Sequence, residues 1–314
     1  MPTATHNAYL VRLIYIVLMG FGFPIMRYMS THFDPLNNNA VSFISSGLCL
    51  CVVCTIKFKT TLKKLFANYK LIFALLILSI FMTGNLFFFV SGLKHTSAVS
   101  GSVFGILAMP IGSLIAAIFY KDERRVVSNR FFIFGAIIAI IGSFVFMAGG
   151  HTEKTNIVQS LVFGGWIGYI FLTLSLLIQT IQNLIVKKLS TYLPTIVVTT
   201  AAATLAGFIF LGLSITTGVI HELTHVSTNL LIGLALAGIY SVFVSILIAF
   251  YIMASQSVII FYTTQLLVPL STAIIGYLTL GETLSTLQIL GASIVILGCT
   301  LALKQSKTIP TTTA

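Results

Sequence analysis

The sequence predicts an all-α membrane protein, with ten transmembrane helices in two inverted five-helix repeats and both termini cytoplasmic. Three observations lead there. Only 7% of the 314 residues are charged and 57% are hydrophobic, with a mean hydropathy of +1.07, whereas a soluble domain carries about 25% charged residues. Apolar runs of about 20 residues, long enough to cross ~30 Å of hydrocarbon, recur along the whole chain. Three landmarks also repeat at one offset: Pro35 and Pro194, Pro110 and Pro269, and Glu123 and Glu282 each stand 159 residues apart.

The apolar runs fall at 9–29, 37–56, 71–92, 96–119 and 131–149, then at 161–184, 195–217, 229–253, 257–279 and 286–303. They divide a single membrane domain into two repeats, 1–150 and 151–314. An odd number of spans per repeat inserts the second copy upside down relative to the first, the plan of carriers that bind substrate between their halves. The first run has no small-x-small cleavage site, so it is expected to be a retained span rather than a signal peptide.

Loop charge sets the orientation. With the N-terminus inside, Arg12, Lys57, Lys59, Lys63, Lys64, Lys70, Lys121, Arg124, Arg125, Arg130, Lys187, Lys188, Lys304 and Lys307 are cytoplasmic. Arg27, Lys94 and Lys154 alone face the other side. The net charge of +11 therefore reports orientation rather than a nucleic-acid partner. The same count puts Glu123 inside and Glu282 outside, as inversion requires. Gly135 and Gly142 in the first copy are spaced like Gly291 and Gly298 in the second.

The stretch from Pro269 through Gly281-Glu282 to Gln288, Gly291 and Gly298 resembles the repeat ending of EamA-type members of the drug/metabolite transporter superfamily. A weaker copy runs through Pro110, Glu123, Gly135 and Gly142, and Met19-Gly20-Phe21-Gly22-Phe23-Pro24 resembles that family's first helix without its usual Trp. The resemblance covers essentially the whole chain. It implies ten helices, alternating access and a central cavity lined by helices 1, 3, 4, 6, 8 and 9. It also implies an amino-acid-like substrate with export favoured; uptake or exchange of a nucleoside-like or methyl-donor metabolite is the second carrier reading.

Polar residues within spans are expensive, and each is a candidate site. Asn85 sits mid-span among Gly84 and Phe87-Phe88-Phe89. Tyr240 and Ser241 lie in the eighth run, Tyr262 and Gln265 share a face in the ninth, and Gln179, Gln182 and Asn183 share one in the sixth. Trp166, Tyr169 and Thr173 mark a further stripe of that helix, as pocket wall or as interfacial belt. Each amide has an alternative role as a helix–helix hydrogen bond. Pro110 and Pro269 inside apolar runs suggest paired kinks or gate elements, while Ser97, Gly101 and Gly105 form a packing stripe.

The six acids, Asp34, Asp122, Glu123, Glu153, Glu222 and Glu282, all lie in loops or at helix ends. Without a mid-span carboxylate or cation, a neutral or zwitterionic solute moved by facilitated diffusion or exchange fits best. Glu123 and Glu282 are expected to tie helix ends. His221-Glu222-Leu223-Thr224-His225 matches His-Glu-x-x-His, in which two His bind zinc and Glu is the base. A third ligand would have to come from His32, Asp34, His95, His151 or Glu153. A membrane metalloprotease using His221, Glu222 and His225 is thus a remote alternative to a polar loop that caps helices. Cys49, Cys51, Cys54 and Cys299 read as buried small hydrophobes. The protein is expected to be a carrier rather than an enzyme, with no cofactor and no metal. Its expected partners are a small-molecule substrate and the bilayer of the inner (plasma) membrane, as a monomer, with a dimer left open.

Overall fold

The structure is a computed structural model that describes residues 2–119, 127–149, 166–242 and 264–303, together with residues 244, 248, 252 and 261. Twelve α-helices follow in order among the described residues. They are α1 (Pro2–His32), α2 (Pro35–Lys57), α3 (Lys59–Phe66), α4 (Tyr69–His95), α5 (Ala98–Phe119) and α6 (Arg130–Gly149), then α7 (Trp166–Leu189), α8 (Thr195–Thr216), α9 (Glu222–His225), α10 (Thr228–Val242), α11 (Val268–Leu280) and α12 (Thr286–Leu303). Seven helices among the described residues are long and apolar enough to cross a membrane. The segment 219–242 is a further candidate bent by 119°, and α11 and α12 are shorter apolar helices.

Local chemistry sets the boundaries. Asp34 caps α2, accepting the Leu36 N–H at 2.9 Å, and Pro35 occupies the first turn, where its missing N–H costs nothing. Asn68 starts α4 by accepting the Lys70 N–H at 3.1 Å. Gly281 ends α11 with φ of 67°, and the Glu282 N–H then reaches back to the Gly276 carbonyl at 3.2 Å. This left-handed terminator favours glycine, and it aims Glu282 back into the bundle.

Three details differ from the sequence expectation. The connection between the second and third spans contains α3, whose Leu62 and Leu65 pack into a core with Leu75 and Leu193 while Lys59 and Lys63 are exposed. An eight-residue helix is too short to stand out as a membrane-scale apolar run. Pro269 does not kink a continuous helix, because α11 starts at Val268, after a turn at 266–267, and the proline sits in its first turn. Pro110 does lie within a helix, α5, so the two prolines are not matched in local structure. Of the cysteines, Cys54 and Cys299 are buried, Cys51 is half-buried, and Cys49 is exposed, on the outer face of α2 that a bilayer would cover.

Packing exchanges partners between the halves. Contacts of α1 with α11 are matched by α7 with α5, and those of α2 with α10 by α8 with α4. The counterparts α6 and α12 lie directly against each other, and so do α2 and α8. Both pairs are antiparallel. Along α6, Gly135 meets Gly298 and Ala302, Gly142 meets Gly291 and Val295, and Gly149 meets Leu287 and Gln288. Along α2, Asn37 meets Ser214, Gly47 meets Thr204, and Cys54 meets Thr200. Lipid gives no hydrophobic drive between apolar helices, so close backbone approach over small residues supplies the attraction. The outward faces carry large apolar side chains such as Phe134, Phe144, Leu278 and Leu297, the surface expected of a chain solvated by acyl tails.

Candidate functional site

Two adjoining cavities lie between the halves. The smaller, about 280 Å³, is lined by Tyr15, Phe23, Asn85, Phe104, Gln179 and Gln265 among others. The larger, about 360 Å³, is lined by residues that include Asn38, Asn39, Gln179, Gln182, Tyr240 and Ser241. Met19, Phe23, Asn85, Leu86, Phe89 and Gln179 border both, which makes them two lobes of one space. No Asp, Glu, Lys or Arg is among the described residues that line them.

The partition between the lobes is a hydrogen-bonded row. Ser175 Oγ donates to Asn85 Oδ1 at 2.7 Å, and Asn85 Nδ2 donates to Gln182 Oε1 at 2.9 Å. On α7, Ser175 and Gln182 lie seven residues apart, two turns on one face, with Gln179 between them. The row ties α4 to α7, the first half to the second. Gln179 has no hydrogen-bond partner in the protein among the described residues and borders both lobes. Across the space, Tyr240 donates its hydroxyl to the Leu18 carbonyl at 2.6 Å. Gln265 Nε2 donates to the Tyr15 hydroxyl at 3.3 Å, and the Tyr15 ring packs on Phe261 with centroids 5.6 Å apart.

Five of the nine substrate candidates therefore converge: Asn85, Gln179, Gln182, Tyr240 and Gln265. Asn183 is exposed on another face of α7. Trp166 is the first residue of α7 and 43% exposed. Tyr169 is buried in the core against Phe104, centroids 5.9 Å apart. Tyr262 lies outside the described residues, as do Asp122, Glu123, His151 and Glu153. The row Asn37-Asn38-Asn39 escaped the sequence reading, although three amides opening an apolar run were a visible signal. Ser175 and Ser102 had none, since an intrahelical serine commonly satisfies itself. The lobes are also wider than the resemblance implied, because α2 and α8, the second and seventh spans, contribute Asn38, Ser42 and Thr199.

At one end of the bundle, two carboxylates close the seam. Glu282 accepts the Ala98 N–H at 3.0 Å with each oxygen and stands 3.8 Å from Arg27. Arg27 Nη1 also donates to the Lys94 carbonyl at 3.1 Å. Burial raises the Glu282 carboxyl above its ordinary value, opposed by the Ala98 N–H and by Arg27. Glu222 accepts the Asp34 N–H at 2.9 and 3.1 Å and the Asn37 side-chain amide at 2.7 Å. Each carboxylate thus sits on a helix N-terminus of the opposite half, where the dipole favours negative charge.

This geometry reassigns His221-Glu222-Leu223-Thr224-His225. The two His lie in a 3₁₀ turn and the four-residue α9, while the Glu222 carboxylate is engaged as a cap. No group of three His, Cys, Asp or Glu among the described residues could hold a metal. Glu222→Ala is expected to cost about 1–2 kcal/mol through the lost cap, read as a lower melting temperature of the purified protein. EDTA treatment is expected to leave the wild-type melting temperature unchanged; a fall on chelation is the contrary result.

A profile of the EamA-like transporter family matches residues 6–148 and again residues 166–304. The chain belongs to the EamA-like transporter family. It is thus a multi-pass membrane transporter of the drug/metabolite transporter superfamily with a two-repeat architecture. A curated relative, an uncharacterized transporter of Haemophilus influenzae, is 47% identical over 304 residues, 96% of this chain and 98% of the relative. A solved crystal structure overlays with a TM-score of 0.59 over 95% of this chain and 96% of that one; at 14% identity it shares the fold alone.

Proposed function

We propose that this EamA-family protein is a secondary transporter of the inner membrane, with ten helices in inverted repeats and cytoplasmic termini. It moves a neutral or zwitterionic organic metabolite of amino-acid-like character by alternating access, with export favoured. It acts as a monomer that needs the bilayer and one small solute, and performs no catalysis. The observation that carries this reading is an amide- and aromatic-lined space between the two repeats, with no charged side chain among its described lining residues. Such a mixture grips a polar solute by hydrogen bonds without a fixed counter-charge. The lack of a carboxylate among the described lining residues supports facilitated diffusion or exchange. The basic loops support the orientation.

The aromatic rings of the smaller lobe, Phe23, Phe89, Phe104 and Phe261, favour one second reading, a nucleoside-like or methyl-donor solute held by stacking. Flux into proteoliposomes separates the two. The expected result is movement of amino acids, uridine and S-adenosylmethionine being the comparison solutes; absence of flux for all of them sinks the carrier reading. Asn85→Ala breaks both links of the Ser175–Asn85–Gln182 row, and each buried bond is worth ~1 kcal/mol. Initial transport rates are expected to fall about tenfold or more, with the folded protein still obtained.

A further inference from the structure

We infer that Asn38 and Gln182 form a subsite in the larger lobe that receives an acceptor oxygen of the solute, a carboxylate or an amide carbonyl. The inference deepens the carrier reading above and rests on it. It starts from three consecutive amides on α2. Successive residues of a helix point about 100° apart, so Asn37, Asn38 and Asn39 address three different neighbours. Asn37 Nδ2 donates to the Val219 carbonyl at 2.8 Å and to Glu222, and its Oδ1 accepts from Ser214. Asn39 Nδ2 donates to the Pro35 and Leu86 carbonyls at 2.9 and 3.3 Å.

Asn38 is different. It is 6% exposed and borders the larger lobe. Its Nδ2 is the one buried side-chain polar atom among the described residues without a hydrogen-bond partner. Neighbouring amides show that this region satisfies its donors where it needs to, and an orphaned buried donor costs about 1–3 kcal/mol. A donor kept at that cost beside an empty space is one a ligand atom can satisfy.

Gln182 lines the same lobe. Its Oε1 is taken by Asn85, and that bond fixes the orientation of its amide. Its NH2 group therefore remains as a donor with no protein acceptor among the described residues. The Tyr240 hydroxyl proton is already given to Leu18. Asn38 and Gln182 thus line the same lobe, each with amide hydrogens that no described protein group accepts, and such donors suit a solute group that accepts.

The test uses the full chain in proteoliposomes, with three solutes and their decarboxylated counterparts: L-alanine and ethylamine, L-leucine and isopentylamine, L-phenylalanine and phenethylamine. Uridine serves as a carbonyl-bearing probe of the second reading. Asn38→Ala is expected to raise KM about tenfold for whichever amino acid or uridine the wild type carries, with any amine transport unchanged. In the ligand-free protein, Asn38→Ala and Asn38→Leu are expected to keep or raise the melting temperature, whereas Asn39→Ala lowers it. A melting temperature that falls for Asn38→Ala as it does for Asn39→Ala makes Asn38 structural and overturns the subsite. So does an unchanged KM, or wild-type transport of amines alone. Wild-type protein that moves none of these solutes fails the carrier reading before any variant is compared, and the subsite fails with it.

Discussion

Gly298→Leu is expected to abolish the folded protein or to cost ~3 kcal/mol or more of its stability. A Cβ at Gly298 would lie 2.6 Å from the Gly135 carbonyl oxygen and closer still to the Ala139 amide nitrogen. Both are backbone atoms of α6, so no side chain can swing aside. The two helices would have to separate, opening the seam along which Gly142, Gly149 and Gly291 are also engaged. Between lipid-solvated helices that close approach is the main source of attraction, so little remains to offset the loss. Gly212 gives the control: a Cβ there meets nothing within 4 Å, and Gly212→Ala is expected to be neutral or stabilising by up to ~1 kcal/mol through helix propensity. Detergent-solubilised yield and melting temperature measure both. Equal behaviour of the two variants would show that the α6–α12 seam is not as close as described.

Glu282→Ala is expected to cost about 2 kcal/mol at neutral pH, because it strands the Ala98 N–H at the start of α5 and removes the carboxylate from Arg27. Its pH dependence has a definite sign. Burial lifts the folded-state carboxyl above the ordinary value of 4.5, so the folded protein holds this proton at a pH where the unfolded chain has released it. Stability from this group is fully present below 4.5 and is lost as pH rises through the raised folded value. Glu282→Gln is expected to erase that fall while keeping an acceptor for Ala98, and so to cost less than Glu282→Ala near neutrality. A melting curve series from acid to neutral pH measures this. A wild type that gains stability across that window, with the gain lost in Glu282→Gln, would reverse the assignment.

Glu282 and Glu222 also bear on mechanism. Each joins one half of the protein to a helix start of the other, at the same end of the bundle. In the alternating access proposed above, opening of the cavity at that end breaks these contacts, so the variants above are expected to make the lobes more reachable there. Cysteine-reactive probes at Ser42, in a background lacking the native cysteines, offer a direct reading.

How much of this was legible in the sequence differs from element to element. The apolar runs, the 159-residue offset and the glycines at 135, 142, 291 and 298 carry the membrane class and the two-repeat plan, because span length and backbone approach are local demands. The capping role of Glu282 was readable from its place beside Gly281. Asn85, Gln179, Gln182, Tyr240 and Gln265 stood out because a polar group in hydrocarbon is costly wherever the helix packs. Helix rotation was not readable. Asn183, one residue beyond Gln182, turns about 100° away and is exposed, and Tyr169 packs into core rather than cavity. Composition shows that an amide is buried, but only tertiary contact decides whether a neighbour satisfies it. Asn37, Asn38 and Asn39 are chemically identical and adjacent; their neighbours alone separate two hydrogen-bonded amides from the one whose Nδ2 is left without a partner.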